Sequence, residues 1–209
     1  MGLRERQKRE RKQHILDVAA VLFGRDGFEA VRAEHIAEAA NLSAGTLYNY
    51  FPGKNEILMT LIAVENERLV DLGRAFEPDF DASPADIFSA FLLQYFMPDS
   101  VMLNKAMWRK GFALSFADVT SQEARRLRES DRVLSDHVIA LTEAIQSRGL
   151  LRSDLDSTIF GITLFNNANM MFLDFARSEN RTYQDVVDGM EAMTRALVTI
   201  ALPPVQARK

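Results

Sequence analysis

The chain has 209 residues, of which 47% are hydrophobic, and a formal net charge of −4 at pH 7. This length and composition are sufficient to bury a substantial core, which excludes a disordered polymer. The chain has no cysteine, which excludes disulfides and thiolate metal sites and is typical of a reducing compartment. We expect a cytoplasmic protein without a secretory signal or a membrane span, because polar residues interrupt every long apolar stretch.

The charge is unevenly distributed along the chain. Residues 1–54 contain nine Lys or Arg against seven Asp or Glu, whereas residues 55–209 contain sixteen against twenty-two. Six of the basic residues fall within the first twelve positions. A basic head on an acidic body predicts a polyanionic partner for the head alone. A solvated, frayed terminal arm would carry the same charges, so both interpretations stay open at this point.

The first predicted helix covers residues 13–20. Its apolar residues follow helical spacing, and the sequence GRDG that comes next should end it. Gly27, the last residue of that sequence, readily adopts the positive φ that helix ends need.

Two short helices follow at 33–40 and 44–50. Asn41, in the turn between them, tolerates the left-handed backbone conformation that a tight turn requires. Ser43 is the expected N-cap of the second short helix, and Phe51 ends it because the next residue is proline.

The rest of the chain predicts six longer helices and almost no strand. Their starts carry N-cap and acidic-residue signals, as in the sequence Ser83-Pro84-Ala85-Asp86, where proline takes the first helical position. These helices are predicted at 54–76, 84–97, 100–117, 121–148, 155–177 and 183–201. We therefore predict an all-α fold of about nine helices.

The two short helices and their turn are typical of a helix-turn-helix. In that unit the second helix enters the DNA major groove while the first crosses the backbone. Apolar residues are then needed on one side only, and Ile36, Leu47 and Phe51 are spaced to pack inward. The other side must be slim and carry hydrogen-bond donors, as do Ser43, Ala44, Gly45, Thr46, Tyr48 and Tyr50. Helical pairs of this kind also occur in proteins that never bind DNA.

The stretch FEAVRAEHIAEAANLSAGTLYNYFPGKNEIL resembles the DNA-binding region of the TetR family of bacterial transcriptional regulators. The pieces IAEAA, LSAGTLYNYF and FPGKNEIL follow that family's pattern almost position for position, and the resemblance covers residues 13–60. It implies phosphate contacts for Thr46, Tyr50 and Lys54. It implies that the base-facing residues are Ser43, Ala44, Gly45, Tyr48 and Glu34, and Asn49 completes the predicted surface.

The chain departs from the family pattern at the start of the first short helix. The family usually has threonine at one or both of the positions that are Arg32 and Ala33 here. Arg32 can supply the phosphate contact as a cation, but the helix cap should be weaker. Two of the implied contacts also have structural alternatives, since Tyr50 could be a half-buried tyrosine between helices and Lys54 a solvated surface lysine.

The long helices hold most of the apolar residues, in stripes that are typical of a core. Aromatic residues and methionines also suit an effector pocket, and the family resemblance implies that a small molecule binds among these helices. The predicted ligand-binding residues are Phe88, Leu92, Tyr95, Trp108, Phe112, Phe116, His137, Leu141, Asn166 and Met170.

Two features of the long helices leave alternatives open. Asn166, Asn167 and Asn169 either satisfy one another across a subunit interface or orient a ligand, because buried amides need partners. The resemblance implies that the last two helices pair with a partner's copies as a four-helix bundle, which favours the interface. His137 lies near the apolar face of its helix, as either a hydrogen-bonded core residue or a ligand contact.

No catalytic constellation, metal-ligand cluster or glycine-rich phosphate loop is visible, so neither an enzyme nor a cofactor or metal is expected. We predict a helix-turn-helix DNA-binding domain over 1–54 and a helical ligand-binding and dimerisation domain over 55–209. The predicted function is ligand-responsive regulation of transcription, most often repression in that family. A homodimer would bind a palindromic double-stranded DNA operator and be released by a small apolar or aromatic effector. The alternatives are a helical protein-interaction module without DNA binding and an all-helical enzyme.

Overall fold

The computed structural model describes residues 2–96 and 103–204. These residues form nine α-helices and one 3-10 turn, and none of them is in a strand, which confirms the predicted all-α fold. The helices are α1 (Leu3–Asp26), α2 (Ala33–Ala39), α3 (Ala44–Tyr48), α4 (Lys54–Ala75), α5 (Pro84–Leu93), α6 (Lys105–Ala117), α7 (Gln122–Ser147), α8 (Ser157–Arg177) and α9 (Tyr183–Ala201). In the part of the chain that the structure describes, no helix is long and apolar enough to cross a membrane.

Helix α1 begins at Leu3, about ten residues earlier than the sequence predicts. The added segment, residues 3–12, consists of Leu, Arg, Glu, Gln and Lys, which are all strong helix formers. Arg6 Nε also lies 3.3 Å from Glu10 Oε1, at the i,i+4 spacing that supports a helix. The helix ends at Asp26, later than the predicted residue 20, and Gly27 follows it with the predicted positive φ, +82°. The basic segment is therefore a solvent-exposed continuation of α1.

The N-caps predicted at Ser43 and Ser83 are present, and Thr182 supplies a third. The Ser43 side chain accepts a hydrogen bond from the Thr46 N–H at 3.1 Å, and Ser83 caps α5 in the same way. Thr182 and Asp185 form a reciprocal capping box at the start of α9. Each of these side chains satisfies a backbone N–H that the first turn of a helix leaves without a partner.

Four other predicted helix boundaries are corrected by two residues or more. Helix α3 ends at Tyr48, before the predicted end at 50. Helix α5 gives way to a 3-10 turn at Gln94–Phe96, while the predicted end at 97 and the predicted start at 100 lie outside the described residues. Helix α6 is capped by Asn104. Helix α8 starts two residues later than predicted, because a turn holds residues 152–155 and Asp156 then supplies the cap.

The described residues fall into two compact units. The first consists of 2–66 and 103–127, and the second of 67–96 and 128–204. The core of the first unit includes the fully buried Phe23, Ile36, Leu47, Phe51 and Met107. The core of the second includes Phe88, Leu92, Val138, Leu164 and Met190. The division of function between 1–54 and 55–209 stays a prediction.

Candidate nucleic-acid interface and effector site

A tight turn joins α2 to α3. Asn41 has a φ of +55° and is the only non-glycine residue with a positive φ in the described chain, as its place in the turn predicts. The Leu42 N–H reaches back to the Ala37 carbonyl at 2.8 Å, which closes the turn. Leu47 and Phe51 are buried on the inner side. One left-handed residue and two buried side chains therefore hold the two short helices together.

The outer side of α3 is slim. Ser43 and Gly45 are exposed, Ala44 and Thr46 are partly buried, and the Ser43 and Thr46 hydroxyls lie 2.8 Å apart. A Cβ added to Gly45 would meet nothing closer than the Ser43 hydroxyl. These small groups let the backbone of α3 approach a flat or grooved partner closely, as a DNA-reading helix must.

Tyr48, Asn49 and Tyr50 mark the end of α3. Tyr48 is 45% exposed and Asn49 is exposed, whereas Tyr50 is half-buried. The Tyr48 hydroxyl donates a hydrogen bond to Glu34 Oε1 of α2 at 3.0 Å. This bond links the outer faces of the two short helices.

Arg32 stands at the N-cap of α2 and makes no side-chain cap there, as predicted for the position where the family has threonine. Its guanidinium instead turns toward His35, with Nε at 3.2 Å and Nη2 at 3.0 Å from His35 Nε2. His35 Nε2 then acts as the acceptor, which places the ring proton on Nδ1. The arginine therefore stays exposed beside α2, available as a cation to an anionic partner.

Lys54 is not the solvated lysine that one interpretation of the sequence suggests. Its ammonium donates to three backbone carbonyls, those of Phe28 at 2.8 Å, Glu29 at 3.1 Å and Val31 at 3.0 Å. It also lies 4.5 Å from the centre of the Phe28 ring. An ammonium has three donors, so a DNA phosphate would have to replace one of these carbonyls. The phosphate contact of Lys54 stays a prediction.

Lys110 of α6 holds the same loop from a second direction, in contacts that the sequence does not predict. Its Nζ lies 2.7 Å from Glu29 Oε1 and 5.3 Å from the centre of the Phe28 ring. The hydrogen bond from Lys110 holds the pKa of Glu29 below its usual value. Contacts across 81 residues leave no periodic signal in the sequence, so only the folded chain reveals them.

The predicted effector residues divide between the two units. Phe88, Leu92 and Leu141 lie in the core of the second unit. Trp108 and Phe112, whose ring centres are 5.8 Å apart, belong to the first unit, where Phe116 is 73% exposed. Their roles in ligand binding stay predictions.

Tyr95 and His137 converge beside Gly73 in the second unit. The Tyr95 hydroxyl and His137 Nδ1 are both buried, and neither has a hydrogen-bond partner among the described residues. A Cβ on Gly73 would collide with His137 Nδ1 and lie 2.8 Å from the Tyr95 hydroxyl. Burial raises the pKa of Tyr95 and lowers that of His137, so both groups are held neutral. The sequence allowed His137 to be a hydrogen-bonded core residue. Among the described residues, its Nδ1 has no such hydrogen bond.

The asparagines of α8 are exposed in the single chain. Asn166, Asn167 and Asn169 all face solvent, as does Met170, and Asn167 Nδ2 donates to the Thr163 carbonyl at 2.8 Å. The residues that α8 buries within the subunit fall on its other face, so the interface and the ligand alternatives for these amides both stay predictions. Asn166 borders an open groove between α7 and α8 of about 450 Å³.

Within the described ranges, no group of three or more His, Asp or Glu side chains is placed to hold a metal ion.

Comparison with known proteins shows which proteins this chain is similar to. The sequence profile described as "Bacterial regulatory proteins, tetR family" matches residues 15–60. The HTH-type transcriptional repressor KstR of Rhodococcus jostii is 34% identical over 116 residues, which cover 54% of this chain and 52% of that protein. The chain spans about half the length, or less, of the curated KstR repressors that it matches.

Two further similarities extend beyond the helix-turn-helix. The HTH-type transcriptional regulator TtgR of Pseudomonas putida is 28% identical over 166 residues, covering 76% of this chain and 77% of that protein. The solved structure of Thermus thermophilus FadR, a TetR-family repressor in complex with lauroyl-CoA, superposes with a TM-score of 0.57 at 22% identity. It covers 95% of this chain and 99% of that one, and at this identity it shows the fold.

Proposed function

The chain belongs to the TetR family of bacterial regulatory proteins, and from that premise we propose that it is a ligand-responsive transcriptional repressor. It binds a palindromic double-stranded DNA operator as a homodimer, in the cytoplasm, and it is not an enzyme. Each subunit places residues 43–50 in one major groove of the operator. The observation that carries this proposal is the slim, exposed outer side of α3, held by the Asn41 turn and by the buried Leu47 and Phe51.

The basic face of the first unit supports the DNA partner. Arg32 is exposed beside α2, and the six basic residues before position 13 lie on the exposed first turns of α1. Lys12 also lies 5.3 Å from the ring centre of Phe51, which joins this segment to the helix-turn-helix. A helical segment with these charges suits the phosphate backbone, which supplies most of the affinity of DNA-binding proteins.

Exposed apolar residues on α8 and α9 support the homodimer. Ile159, Ile162 and Met170 on α8 and Ile200 on α9 are all accessible in the single chain. A partner's α8 and α9 would cover these residues in a four-helix bundle. The exposed Asn166 and Asn169 would then find amide partners across the interface, which favours the interface over the ligand for these two residues.

The unpartnered polar atoms near Gly73 support an effector with an apolar body and one polar group. Buried polar atoms without partners are rare in native proteins and call for an explanation. A hydroxyl, carbonyl or carboxylate on the effector would satisfy the Tyr95 hydroxyl and His137 Nδ1, while Phe88, Leu92 and Phe91 contact its apolar part. Such a ligand shifts the dimer away from its DNA-bound form only if it binds the other form more tightly.

A titration of the purified protein against DNA from upstream of its own gene tests this function. We expect saturable binding with two subunits per operator, weakening about 1000-fold or more between about 50 and about 200 mM salt. An unrelated duplex of equal length, measured in parallel, gives the non-specific affinity. Absence of DNA binding at any salt concentration would overturn the proposal in favour of a protein-interaction module.

A further inference from the structure

The hydrogen bond between Tyr48 and Glu34 joins two exposed side chains of the proposed DNA-binding surface. The Tyr48 hydroxyl donates to Glu34 Oε1 at 3.0 Å, and the two residues are fourteen positions apart on different helices. Because the bond uses the only proton of that hydroxyl, Tyr48 cannot also donate to a phosphate while it persists. The tyrosine therefore holds the carboxylate of Glu34 in one position at the edge of α2.

The charge of the Glu34 carboxylate limits which groups of DNA it can face. The hydrogen bonds from its own backbone N–H and from Tyr48 hold the pKa of Glu34 below its usual value, so the side chain is ionised and only accepts hydrogen bonds. Against DNA, this carboxylate repels the phosphates. Only a DNA sequence with a hydrogen-bond donor on a base opposite the carboxylate offsets that repulsion. Its presence on the outer face therefore disfavours DNA in general and favours DNA that presents a donor at one position.

The donors of the major groove are the amino groups of cytosine and adenine. Adenine presents its N7 acceptor beside the amino group, and that acceptor would face the carboxylate without a donor between them. Guanine and thymine present only acceptors at this edge, apart from the thymine methyl group. Cytosine presents the amino donor without an acceptor of its own, so it matches an acceptor-only side chain best.

We propose that Glu34, positioned by Tyr48, reads one cytosine in each half-site of the operator. This inference rests on the proposed function, because it needs α2 and α3 to face the major groove. Glu34 is the residue that contacts the base, and Tyr48 is a positioning residue that holds its carboxylate. The small side chains of Ser43, Ala44 and Gly45 leave the groove open to this pair.

Selection of bound sequences from random double-stranded DNA tests the assignment with four proteins: wild type, Glu34→Gln, Tyr48→Phe and Glu38→Gln. Glu38→Gln is the matched control, since it removes an equivalent exposed charge one turn further along α2. We expect the wild type and the control to require cytosine at one position of each half-site, with substitution costing on the order of ten-fold or more in affinity. Glu34→Gln should transfer that preference to adenine, because an amide can bond both N6 and N7. Tyr48→Phe should weaken the cytosine preference while the rest of the motif persists.

Two further results of the same selection would overturn the inference, and they are distinguishable. If the wild type enriches no motif, the proposed function fails together with the inference. If a motif is enriched but is the same for Glu34→Gln as for wild type, DNA binding stands and the role of Glu34 is wrong. The affinity of each variant for a random duplex gives a second measure of the carboxylate's repulsion of phosphates, and Glu34→Gln should strengthen this non-specific binding. In the selection, the control Glu38→Gln should keep the cytosine requirement, which Glu34→Gln should lose.

Discussion

Polar side chains in the proposed DNA-binding surface have different tasks, although several of them look alike in the sequence. Lys54 is held by three carbonyls and stabilises the loop before α2, whereas Arg32 remains exposed. Tyr48 stands on the outside and Tyr50 is half-buried. The number of contacts that each side chain already makes determines how much of it is available to a partner.

Tyr48→Ala should weaken operator binding by roughly ten-fold to roughly a hundred-fold. Tyr48 packs little against the core, so the melting temperature should stay nearly unchanged, which circular dichroism can measure beside the DNA titration. Tyr50→Ala is the comparison, because removal of a half-buried ring should lower the melting temperature. A marked loss of stability in Tyr48→Ala would make that residue part of the scaffold.

Tyr95→Phe should raise the free energy of unfolding of the ligand-free protein by about 1 kcal/mol, because it removes a buried hydroxyl without a partner. The same variant should lose most of its response to an effector that uses this hydroxyl. Urea denaturation measures the stability, and a thermal-shift screen of apolar compounds with one polar group measures the response. Tyr50→Phe controls for the loss of a tyrosine hydroxyl, and a destabilised Tyr95→Phe would show that the hydroxyl has a partner in solution.

Glu56 should make stability depend on pH. Burial and the hydrogen bond with Glu123 raise the pKa of Glu56 from its ordinary 4.5 to about 7. The folded state then holds the proton more tightly than the unfolded state, so this group's stabilising contribution is lost as pH rises from about 4.5 to about 7. Glu56→Gln, which mimics the protonated form, should gain stability relative to wild type at pH 8 and much less at pH 5.

Thermal melts across this pH range measure the effect, with Glu67→Gln on the exposed side of α4 as control. Equal differences between Glu56→Gln and wild type at both pH values would contradict the raised pKa of Glu56.

At the level of the helices, close packing depends on glycine where backbones approach. A Cβ on Gly161 of α8 would lie 2.8 Å from the Ile139 Cα of α7 and 2.9 Å from its Cγ1. The backbone atom cannot move aside as the end of a side chain can. The two helices therefore approach each other at this point only because one of them has no side chain there.

Gly161→Ala should lower the free energy of unfolding by about 1–3 kcal/mol through overpacking. Gly24→Ala in α1 is the matched control, since nothing lies within 4 Å of its Cβ position. That control should raise stability by about 0.5–1 kcal/mol, because alanine is the better helix former. Urea denaturation of both variants measures these free energies of unfolding. A Gly161→Ala protein as stable as wild type would show that α7 and α8 pack less closely in solution.

For the whole molecule, the exposed apolar residues of α8 and α9 predict the assembly. Ile200→Asp should convert the dimer to a monomer, because a charge would be buried in the interface, while the folded monomer should lose little stability since Ile200 is 70% exposed. Sedimentation velocity measures the change. Val21→Asp, at a residue 65% exposed on α1, should leave the dimer intact, and a wild-type monomer would contradict the prediction outright.

The sequence by itself determined the features that depend on near neighbours along the chain. Helix periodicity, the caps at Ser43, Ser83 and Thr182, the Asn41 turn and the family motif all use spacings of a few residues, and each is present in the fold. Apolar periodicity places the start of α1 too late, because it is absent from a helix segment that stays in solvent.

Only the tertiary structure decided which distant groups meet. The anchoring of residues 28–31 by Lys54, the Tyr48–Glu34 bond and the convergence of Tyr95 and His137 on Gly73 join residues from 14 to 64 positions apart. Such pairs leave no periodic pattern, because their distance depends on how whole helices pack and not on local backbone geometry. For that reason the sequence predicts a DNA-binding surface, while the folded chain shows which side chains of that proposed surface are already engaged.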